Sequence, residues 1–321
     1  MPGMSRDLPS FSGRRVLVTG ASGFIGSHLL RRLQSCGAEL HAVTREDRSS
    51  DEAGLRWWSG DLAETGAVRN IVSAVRPEVL FHLASNVTGS RDLGLVLPTF
   101  QSNLISTVNL LTSAAECGCS RFILAGSMEE PVSGCGDPVP CSPYAAAKWA
   151  ATGYARMFHA LYGLPAVIVR IFMVYGPGQR DIRKLIPSVI LSLLRGEAPR
   201  LSSGRRPVDW IFVEDVVDGL IAAASAADQG GATVDLGSGM LVTVREIAER
   251  LARLVDPAIA PQFGAIEDRP LETVRSANTT HTERLIGWKL RTTLDEGLER
   301  TVEWYRQNQS LFDGRERFPL M

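Results

Sequence analysis

Short apolar runs alternate with longer segments of helical periodicity along the first two thirds of the chain. Strands buried on both faces of a sheet are continuously apolar, as the segment Val79–Leu83 is. The pattern predicts strands at Arg15–Thr19, Leu40–Thr44, Arg56–Ser59, Val79–Leu83, Phe122–Gly126 and Ala166–Phe172. It predicts helices between them at Gly23–Cys36, Glu64–Val75, Pro98–Gly118 and Tyr144–Gly163. This alternation predicts an α/β fold with a doubly wound parallel sheet, whose ligands bind beyond the carboxyl ends of the strands.

A glycine-rich segment links the first predicted strand to the first predicted helix, with Gly20, Gly23 and Gly26 at three-residue intervals. Gly20 permits a tight turn, Gly23 lets phosphates approach the backbone, and Gly26 lets the helix pack closely on the strand. Unpaired backbone N–H groups and the positive end of the helix then face a pyrophosphate. The segment therefore predicts a dinucleotide site on a Rossmann-type sheet.

The pattern changes after Gly178. It predicts a helix at Ile182–Gly196, a strand at Val208–Val213, a helix at Glu214–Ala227, a strand at Thr233–Leu236 and a tail of mainly short helices. We therefore assign residues 13–176 and 207–236 to the dinucleotide-binding domain. Residues 177–206 and 237–321 are assigned to a smaller cap that binds substrate.

The composition is typical of a globular enzyme, with 45% hydrophobic and 21% charged residues. The net charge of −1 argues against a nucleic-acid or anionic-membrane surface. The first ten residues lack the apolar core of a signal peptide, and no apolar run is long enough to span a membrane, so we expect a cytoplasmic protein. The five cysteines are scattered and odd in number, which argues against a disulfide framework, and no cluster of ligands predicts a metal site.

Three side chains are candidates for proton chemistry. Tyr144 and Lys148 are four residues apart and lie on one face of a predicted helix. A nearby ammonium stabilises a phenolate, lowers the pKa of the tyrosine and lets it exchange a proton at moderate pH. Ser127 follows a predicted strand, where a hydroxyl suits a substrate oxygen. The alternative interpretations are a surface Tyr/Lys pair and an ordinary Ser/Gly turn.

In this order, the three motifs resemble the extended short-chain dehydrogenase/reductases, and more narrowly the NAD(P)-dependent epimerase/dehydratase family that acts on sugar nucleotides. The resemblance covers about residues 13–307. Further matching segments are Gly60–Leu62, Phe81–Ala84, Asn103, Arg170–Pro177, Asp209–Asp215 and Leu285–Trp288. The resemblance implies hydride transfer between the nicotinamide and a ring carbon of a nucleotide-diphosphate sugar. It also implies a homodimer formed through the helices Pro98–Gly118 and Tyr144–Gly163.

The resemblance implies roles for individual residues. Tyr144 would donate or accept the proton, Lys148 would hold the nicotinamide ribose, and Ser127 would bind the reacting oxygen, with Glu129 as a further catalytic candidate. The cofactor would contact Gly20, Ser22, Gly23, Phe24, Ile25, Gly26, Thr44, Arg45, Asp61, Leu62, Leu83, Ala84, Ser85, Asn103, Ala125, Tyr144, Lys148 and Ile171. The substrate would contact Asn86, Val87, Met128, Glu129, Met173, Leu185, Arg206 and Arg269.

The second predicted strand bears on the choice of cofactor. NAD-binding domains usually carry an acid at its end, which bonds the ribose 2′-hydroxyl. Here Thr44 holds that position and Arg45 follows, and a guanidinium pairs well with a 2′-phosphate. The sequence therefore favours NADP(H). The alternative is NAD(H), with Arg45 a solvated charge and Glu46 or Asp47 at the ribose.

The segment after Ser127 bears on the reaction. Dehydratases of the family usually follow the hydroxyl residue with an Asp-Glu or Ser-Glu pair, whereas here Met128 precedes Glu129, which lies at the glutamate position of the Ser-Glu type. The segment Gly126–Glu130 resembles the loop of 4-keto-6-deoxyhexose nucleotide reductases, which use exchangeable NADPH. We therefore predict NADPH-dependent reduction of the C4 ketone of a nucleotide-linked 4-keto-6-deoxysugar. The alternatives are an epimerase or dehydratase with tightly bound cofactor, and a non-catalytic dinucleotide-binding scaffold.

Two departures from the family pattern affect the substrate site. Met173 replaces a common asparagine, and a thioether does not donate the hydrogen bond that the amide gives to the substrate diphosphate. The segment from Ser127 to Tyr144 is also short for the family. Glu129 and Glu130 are either site residues or solvated loop charges.

Overall fold

The computed structural model describes residues 11–46, 54–131, 137–268 and 274–312. The strands are β1 Arg15–Thr19, β2 Glu39–Thr44, β3 Leu55–Ser59, β4 Val79–His82, β5 Arg121–Ser127, β6 Ala166–Ile171, β7 Met173–Tyr175, β8 Pro207–Phe212, β9 Thr233–Leu236 and β10 Leu241–Thr243. The helices are α1 Phe24–Ser35, α2 Thr65–Val75, α3 Val96–Thr99, α4 Ser106–Cys117, α5 Pro143–Tyr162, α6 Leu185–Leu194, α7 Val213–Ser225, α8 Val244–Val255, α9 Thr279–Ile286 and α10 Leu294–Gln307. A π-helix at Phe100–Ile105 joins α3 to α4.

Seven strands form the central sheet in the order β3-β2-β1-β4-β5-β6-β9. β1 pairs in parallel with β2 on one side and with β4 on the other. The chain winds outward in opposite directions from this pair, so the space beyond the carboxyl ends of β1 and β4 is the topological switch point, where such sheets bind ligands. The predicted doubly wound α/β fold is confirmed.

Contacts divide the chain into two compact units. Unit 1 comprises Met1–Arg170, Val217–Val234 and Thr280–Trp288, and unit 2 comprises Ile171–Val216, Asp235–Thr279 and Lys289–Met321. The assignment of 13–176 and 207–236 to a cofactor domain, and of the rest to a substrate cap, stays a prediction because these units are defined by packing and not by function. No helix of the described residues is both long and apolar enough to cross a bilayer.

The core of unit 1 lies between the sheet and its helices. Leu17, Leu80 and Phe122 on neighbouring strands pack with Val72 of α2 and Leu111 of α4, and all five are buried. Every residue of β4 is buried, which explains why this strand is continuously apolar apart from its histidine. The apolar strands thereby fix the sheet edge at which the polar candidates lie.

Unit 2 contains a small sheet that the sequence pattern did not predict. β7 pairs in parallel with β8, and β10 pairs with β8 in antiparallel orientation. β7 and β10 have three residues each, too few for a period of two to stand out from loop sequence. The indole N–H of Trp210 on β8 donates to the carbonyl of Val242 on β10 at 3.0 Å, which adds a side-chain bond to this short pairing.

The predicted helix Pro98–Gly118 is wrong as one continuous α-helix. It begins earlier, at Val96, and residues Phe100–Ile105 are wound as a π-helix before α4 starts. A π-helical turn inserts a residue into the helix and is frequent at functional sites. α3 has four residues, too few to show a 3.6-residue period of its own, so the sequence pattern did not reveal the insertion.

Candidate active site

The glycine turn between β1 and α1 leaves no room for side chains at two of its three glycines. Gly20 has φ +68°, and a Cβ there would lie 2.6 Å from the backbone nitrogen of Ala84. A Cβ at Gly26 would lie 2.8 Å from the Cα of Ala21. Gly23 is the N-cap of α1, and neither a capping side chain nor an acidic residue occupies the first turn. This end of α1 thus suits the pyrophosphate of a dinucleotide.

The other predicted residues of the turn lie at the same end of α1. Ser22 is exposed, and Phe24 and Ile25 are half-buried. The Phe24 ring meets His28 edge-on, with 5.8 Å between the ring centroids. This contact lies within α1, and Ser22 remains exposed in the turn before the helix.

β2 ends at Thr44 and not at the acid that NAD-binding domains usually carry there. Thr44 is buried, and its hydroxyl accepts the backbone N–H of Glu46 at 3.2 Å, which tightens the turn. Arg45 and Glu46 are exposed. Asp47 and Arg48, which the sequence offered as further ribose contacts, lie outside the described residues.

The ends of β3 and β4 carry the next candidates. Asp61 is exposed and accepts the backbone N–H of Ala63 at 2.9 Å, while Leu62 packs on the core. The backbone N–H of Leu83 donates to the carbonyl of Thr19 at 3.2 Å, which ties the ends of β1 and β4 together. The hydroxyl of Ser85 is buried and has no hydrogen-bond partner within the part of the chain that the structure describes. A bound cofactor at the switch point would satisfy it, so the residues present fit a dinucleotide.

His82 is the centre of a buried hydrogen-bond chain behind this sheet edge. The backbone N–H of Ala84 donates to the Thr19 hydroxyl at 3.3 Å, and that hydroxyl lies 2.7 Å from Nδ1 of His82. On the other side, Nε2 of His82 lies 3.0 Å from the hydroxyl of Thr107, which itself donates to the carbonyl of Asn103 at 2.6 Å. Because Thr107 uses its proton on that carbonyl, His82 donates from Nε2 and accepts at Nδ1, as a neutral imidazole does.

The buried chain predicts a loss of stability in acid. Burial and, to a smaller extent, the charge of Lys148 lower the pKa of His82 from 6.5 to about 3. As pH falls from about 6.5 towards 3, the unfolded chain binds a proton that the folded protein excludes, so the free energy of unfolding falls by up to about 5 kcal/mol. Urea unfolding over this pH range measures the effect. His82→Gln should flatten it, and His281→Gln should not; equal slopes for all three proteins would contradict the assignment.

Asn103 lies in the π-helix and has a role that the sequence did not specify. Its side-chain oxygen accepts the backbone N–H of Asn86 at 2.6 Å, and its amide nitrogen donates to the Asn86 carbonyl at 3.1 Å. The side chain of Asn103 is buried, whereas Asn86 and Val87 are exposed. Asn103 therefore holds the loop that carries two predicted substrate residues.

Ser127, Tyr144 and Lys148 come together within unit 1. Ser127 ends β5, and a hydrogen bond joins it to the hydroxyl of Tyr144. Ser142 caps α5 by accepting the backbone N–H of Ala145 at 3.1 Å, so the helix starts just before Tyr144. One turn later, the ammonium of Lys148 donates to the carbonyl of Ala125 at 2.8 Å and lies 5.8 Å from the centroid of the Tyr144 ring.

Burial governs the protonation of these side chains. It raises the pKa of Tyr144, an effect that the Ser127 hydrogen bond opposes and the charges of Glu129 and Glu130 reinforce. The expectation of a lowered tyrosine pKa is therefore wrong for this structure, because the loss of solvation dominates. Burial also lowers the pKa of Lys148 to about 8, against the opposing charge of Glu130. At neutral pH, Tyr144 thus carries its proton and Lys148 its charge.

The segment after Ser127 turns back on itself. Met128 is buried, Glu129 is half-buried, and the backbone N–H of Glu129 donates to the Ser127 hydroxyl at 3.1 Å. Glu130 is buried, so the interpretation of this residue as a solvated loop charge is wrong. Its carboxylate accepts the backbone N–H of Ser127 at 2.7 Å, an inward role that sequence reasoning missed.

The remaining predicted residues are distributed over both units. Ala125 is a buried residue of β5 in unit 1. In unit 2, Ile171 ends β6, Met173 starts β7, Leu185 starts α6 and Arg206 directly precedes β8. Met173, Leu185 and Arg206 are each half-buried. Arg269, the second candidate for the substrate diphosphate, lies outside the described residues.

Comparison with known proteins agrees with this geometry. Residues 16–237 match the NAD dependent epimerase/dehydratase family. The chain is 31% identical to a UDP-glucose 4-epimerase of Mycolicibacterium smegmatis, over 91% of this chain and 98% of that protein. It is 30% identical to a dTDP-glucose 4,6-dehydratase of an Actinoplanes species, over 92% of this chain and 99% of that protein. The solved structure of MoeE5 in complex with UDP-glucose and NAD is 31% identical, with a TM-score of 0.79 over 92% of this chain and 99% of that one.

The family match begins in β1 and extends to the residue after β9, so it includes the glycine turn and the Ser127, Tyr144 and Lys148 cluster. It spans more than half of the chain, and two full-length relatives are at least 30% identical. This protein is therefore an enzyme of the NAD-dependent epimerase/dehydratase family, within the extended short-chain dehydrogenase/reductases.

Proposed function

We propose that this enzyme reduces the C4 ketone of a nucleotide-linked 4-keto-6-deoxysugar, with NADPH as the reductant. The observation that carries the proposal is the buried hydrogen bond between Ser127 and a protonated Tyr144. Lys148 lies next to this pair, and the buried apolar side chain of Met128 directly follows Ser127. A tyrosine that keeps its proton suits a reaction in which the enzyme must deliver one.

The roles of the three side chains follow from their positions. A nicotinamide bound beside these residues would supply the hydride. Ser127 holds the ketone oxygen by a hydrogen bond, and Tyr144 donates its phenolic proton to that oxygen as the negative charge develops. Lys148 places a positive charge beside the tyrosine, which favours loss of the proton. The glycine turn, with the open end of α1, would bind the pyrophosphate.

The same geometry argues against a dehydratase. Elimination of water needs a base for a carbon-bound proton and an acid for the departing hydroxyl. Met128 stands where the family's dehydratases usually carry an aspartate or a serine, and it is buried. Glu129 is then the acid at the second of the two positions after Ser127. Reduction of a ketone does not require another acid at the first.

Preference for NADPH rests on the end of β2. Thr44 presents a hydroxyl that is already bonded to the backbone, and Arg45 is exposed beside it. A 2′-phosphate gains a charge-assisted hydrogen bond from such an arginine, whereas a 2′-hydroxyl gains little.

Arg45→Ala is expected to weaken NADPH binding about tenfold or more and to change NADH binding less than about twofold, because only the 2′-phosphate loses a charge-assisted bond. Energy transfer from tryptophan to bound nicotinamide, in cofactor-stripped protein, measures both affinities. Arg69→Ala, which removes an exposed arginine of α2 in the same unit, is the matched control. Tighter binding of NADH than of NADPH by the unmodified protein would overturn the preference.

Epimerisation is the second candidate, and it is supported by one of the two relatives compared above, whereas the other is a dehydratase. One relative is a UDP-glucose 4-epimerase, and the solved structure of MoeE5 holds NAD with UDP-glucose. An epimerase regenerates its cofactor in each cycle and needs no added reductant. The two candidates separate in one assay: oxidation of NADPH upon addition of a 4-keto-6-deoxy nucleotide sugar supports the reductase. Interconversion of UDP-glucose and its C4 epimer without added reductant supports the epimerase.

The proposal includes a homodimer in the cytoplasm. Leu97 of α3, Phe100 of the π-helix and Trp149 of α5 are 69%, 44% and 38% exposed, on helical segments that pack together in unit 1. Such apolar exposure favours a covered surface. Sedimentation velocity tests the dimer, for which a single species of monomer mass would be the opposing result, and cell fractionation tests the location.

A further inference from the structure

Glu130 is almost completely buried, with 1% of its surface exposed, beside the proposed catalytic residues. One carboxylate oxygen accepts the backbone N–H of Ser127 at 2.7 Å. The other accepts the hydroxyl of Thr152 at 2.8 Å and lies 3.6 Å from Nε of Arg170. All three partners are donors, which is the arrangement that suits an ionised carboxylate.

The chain makes room for this carboxylate at Gly126. The backbone of Gly126 does not have a positive φ, so the turn itself does not require glycine. A Cβ at this position would lie 2.6 Å from the Glu130 carboxylate and 3.3 Å from Cγ of Arg170. Gly126 is therefore required by the buried Glu130–Arg170 pair, and the motif Gly126-Ser-Met-Glu-Glu130 encodes a packed charge site as well as a catalytic serine.

We propose that Glu130 is a positioning residue that fixes the peptide N–H of Ser127 and places its negative charge beside Lys148. Its carboxylate accepts the hydroxyl of Thr152, one turn after Lys148 on α5, and the ammonium of Lys148 is held by the carbonyl of Ala125, two residues before Ser127. The inference rests on the proposed roles of Ser127, Tyr144 and Lys148, but not on which sugar is the substrate or which nicotinamide nucleotide is preferred. Glu130 touches neither substrate nor cofactor in this role.

The charges around Lys148 come from four elements. Tyr144 lies on α5 with it, Glu129 and Glu130 follow β5, His82 is on β4, and Arg170 on β6 faces Glu130. Of these, Glu130 is the group whose charge raises the pKa of Lys148 against burial. His82 is a neutral imidazole in this structure and adds no charge of its own.

Loss of the Glu130 charge is therefore expected to lower the pKa of Lys148. With a folded-state pKa of about 8 and an ordinary value of 10.5, the folded protein releases this proton before the unfolded chain does. The contribution of Lys148 to the free energy of unfolding then rises with pH above about 8 and is constant at lower pH. Without the charge of Glu130, the rise should begin at about one pH unit lower.

The experiment measures urea unfolding of the cofactor-free protein at a series of pH values across this range. Glu130→Gln keeps the shape of the side chain and an acceptor for Ser127 while removing the charge. Lys148→Met identifies which part of the pH dependence belongs to Lys148, and Glu116→Gln, an exposed glutamate of α4, is the matched control. The expected result is an onset shifted to lower pH in Glu130→Gln, no such rise in Lys148→Met, and no shift in Glu116→Gln.

A second readout uses affinity for NADPH and for NADH at pH 8. It should fall about fivefold in Glu130→Gln, because the smaller protonated fraction of Lys148 leaves less ammonium to hold the ribose. An unshifted unfolding onset in Glu130→Gln would overturn the inference. If neither nucleotide binds the unmodified protein, the proposed function fails while the unfolding result still decides the role of Glu130.

Should Glu130→Gln fail to fold, the test compares Arg170→Gln with the double variant Glu130→Gln/Arg170→Gln, because these two proteins differ only in the charge of Glu130. The double variant removes both charges of the buried pair, so neither is left uncompensated. An onset at the same pH in these two variants would equally overturn the inference.

Discussion

Replacement of Tyr144 by phenylalanine is expected to lower kcat about a thousandfold, because the ring remains but the proton donor is lost. The Tyr144 hydroxyl is buried and hydrogen-bonded to Ser127, so water does not readily take its place. Affinity for NADPH should stay within about twofold, since Lys148 and the glycine turn are unchanged. Steady-state kinetics, together with a nucleotide titration of the same variant, measures both quantities.

Tyr154→Phe is the matched control on the same helix. Tyr154 is 41% exposed and lies ten residues further along α5, so the loss of its hydroxyl should leave kcat unchanged. Equal activity of Tyr144→Phe and the unmodified protein would contradict a catalytic role for Tyr144. Absence of turnover in the unmodified protein, with nucleotide binding that is the same in Tyr144→Phe, would favour the non-catalytic dinucleotide-binding scaffold, for which this hydroxyl has no chemical task.

Gly26→Ala is expected to lower the free energy of unfolding by about 3 kcal/mol and to abolish measurable nucleotide binding. The added Cβ would overlap the carbonyl oxygen of Gly20 and lie 2.8 Å from the Cα of Ala21. Both are backbone atoms of the turn, so no side-chain rotation relieves the overlap. Either α1 moves away from β1 or the turn opens, and both displace the N–H groups that would face the pyrophosphate.

The control for this substitution is Gly66→Ala near the start of α2. A Cβ at Gly66 would meet no atom within 4 Å, and the residue has no positive φ. Alanine there should leave stability unchanged or raise it by up to about 1 kcal/mol, since alanine is the better helix former. Urea unfolding of both variants tests the contrast; equal stabilities would mean that the close approach of α1 to β1 is not what requires Gly26.

Local patterns were sufficient to predict most of the fold. β1 and β9 have the bounds that the apolar runs predicted, and β2 to β6 differ from prediction by one residue at one or both ends. Strands buried on both faces and helices with one apolar stripe leave periodic signals that need no knowledge of their neighbours. The glycine turn could be predicted from local sequence for the same reason. The tight turn, the close approach of α1 to β1 and the start of the helix all fall within seven residues.

Local patterns did not predict the hydrogen bonds and the burial around the candidate site. Thr19, His82 and Thr107 form one hydrogen-bond chain although 88 residues separate the first from the last. The spacing of Tyr144 and Lys148 predicted that they would meet, but their pKa values depend on burial by residues distant in sequence. The sequence argument used only the neighbouring charge, and for Tyr144 it gave the wrong direction.

Glu130 shows the difference between what the sequence determines and what only the tertiary structure decides. By itself the sequence determined the alternating strands and helices, the dinucleotide turn and the positions of Ser127, Tyr144 and Lys148, because each depends on residue type and short spacing. It left open whether Glu130 faces water or the interior. Only the tertiary structure decided this, by bringing Thr152 of α5 and Arg170 of β6 to the loop after β5. A buried carboxylate is stable only where donors and an opposite charge converge on it, and that convergence is a property of the folded chain.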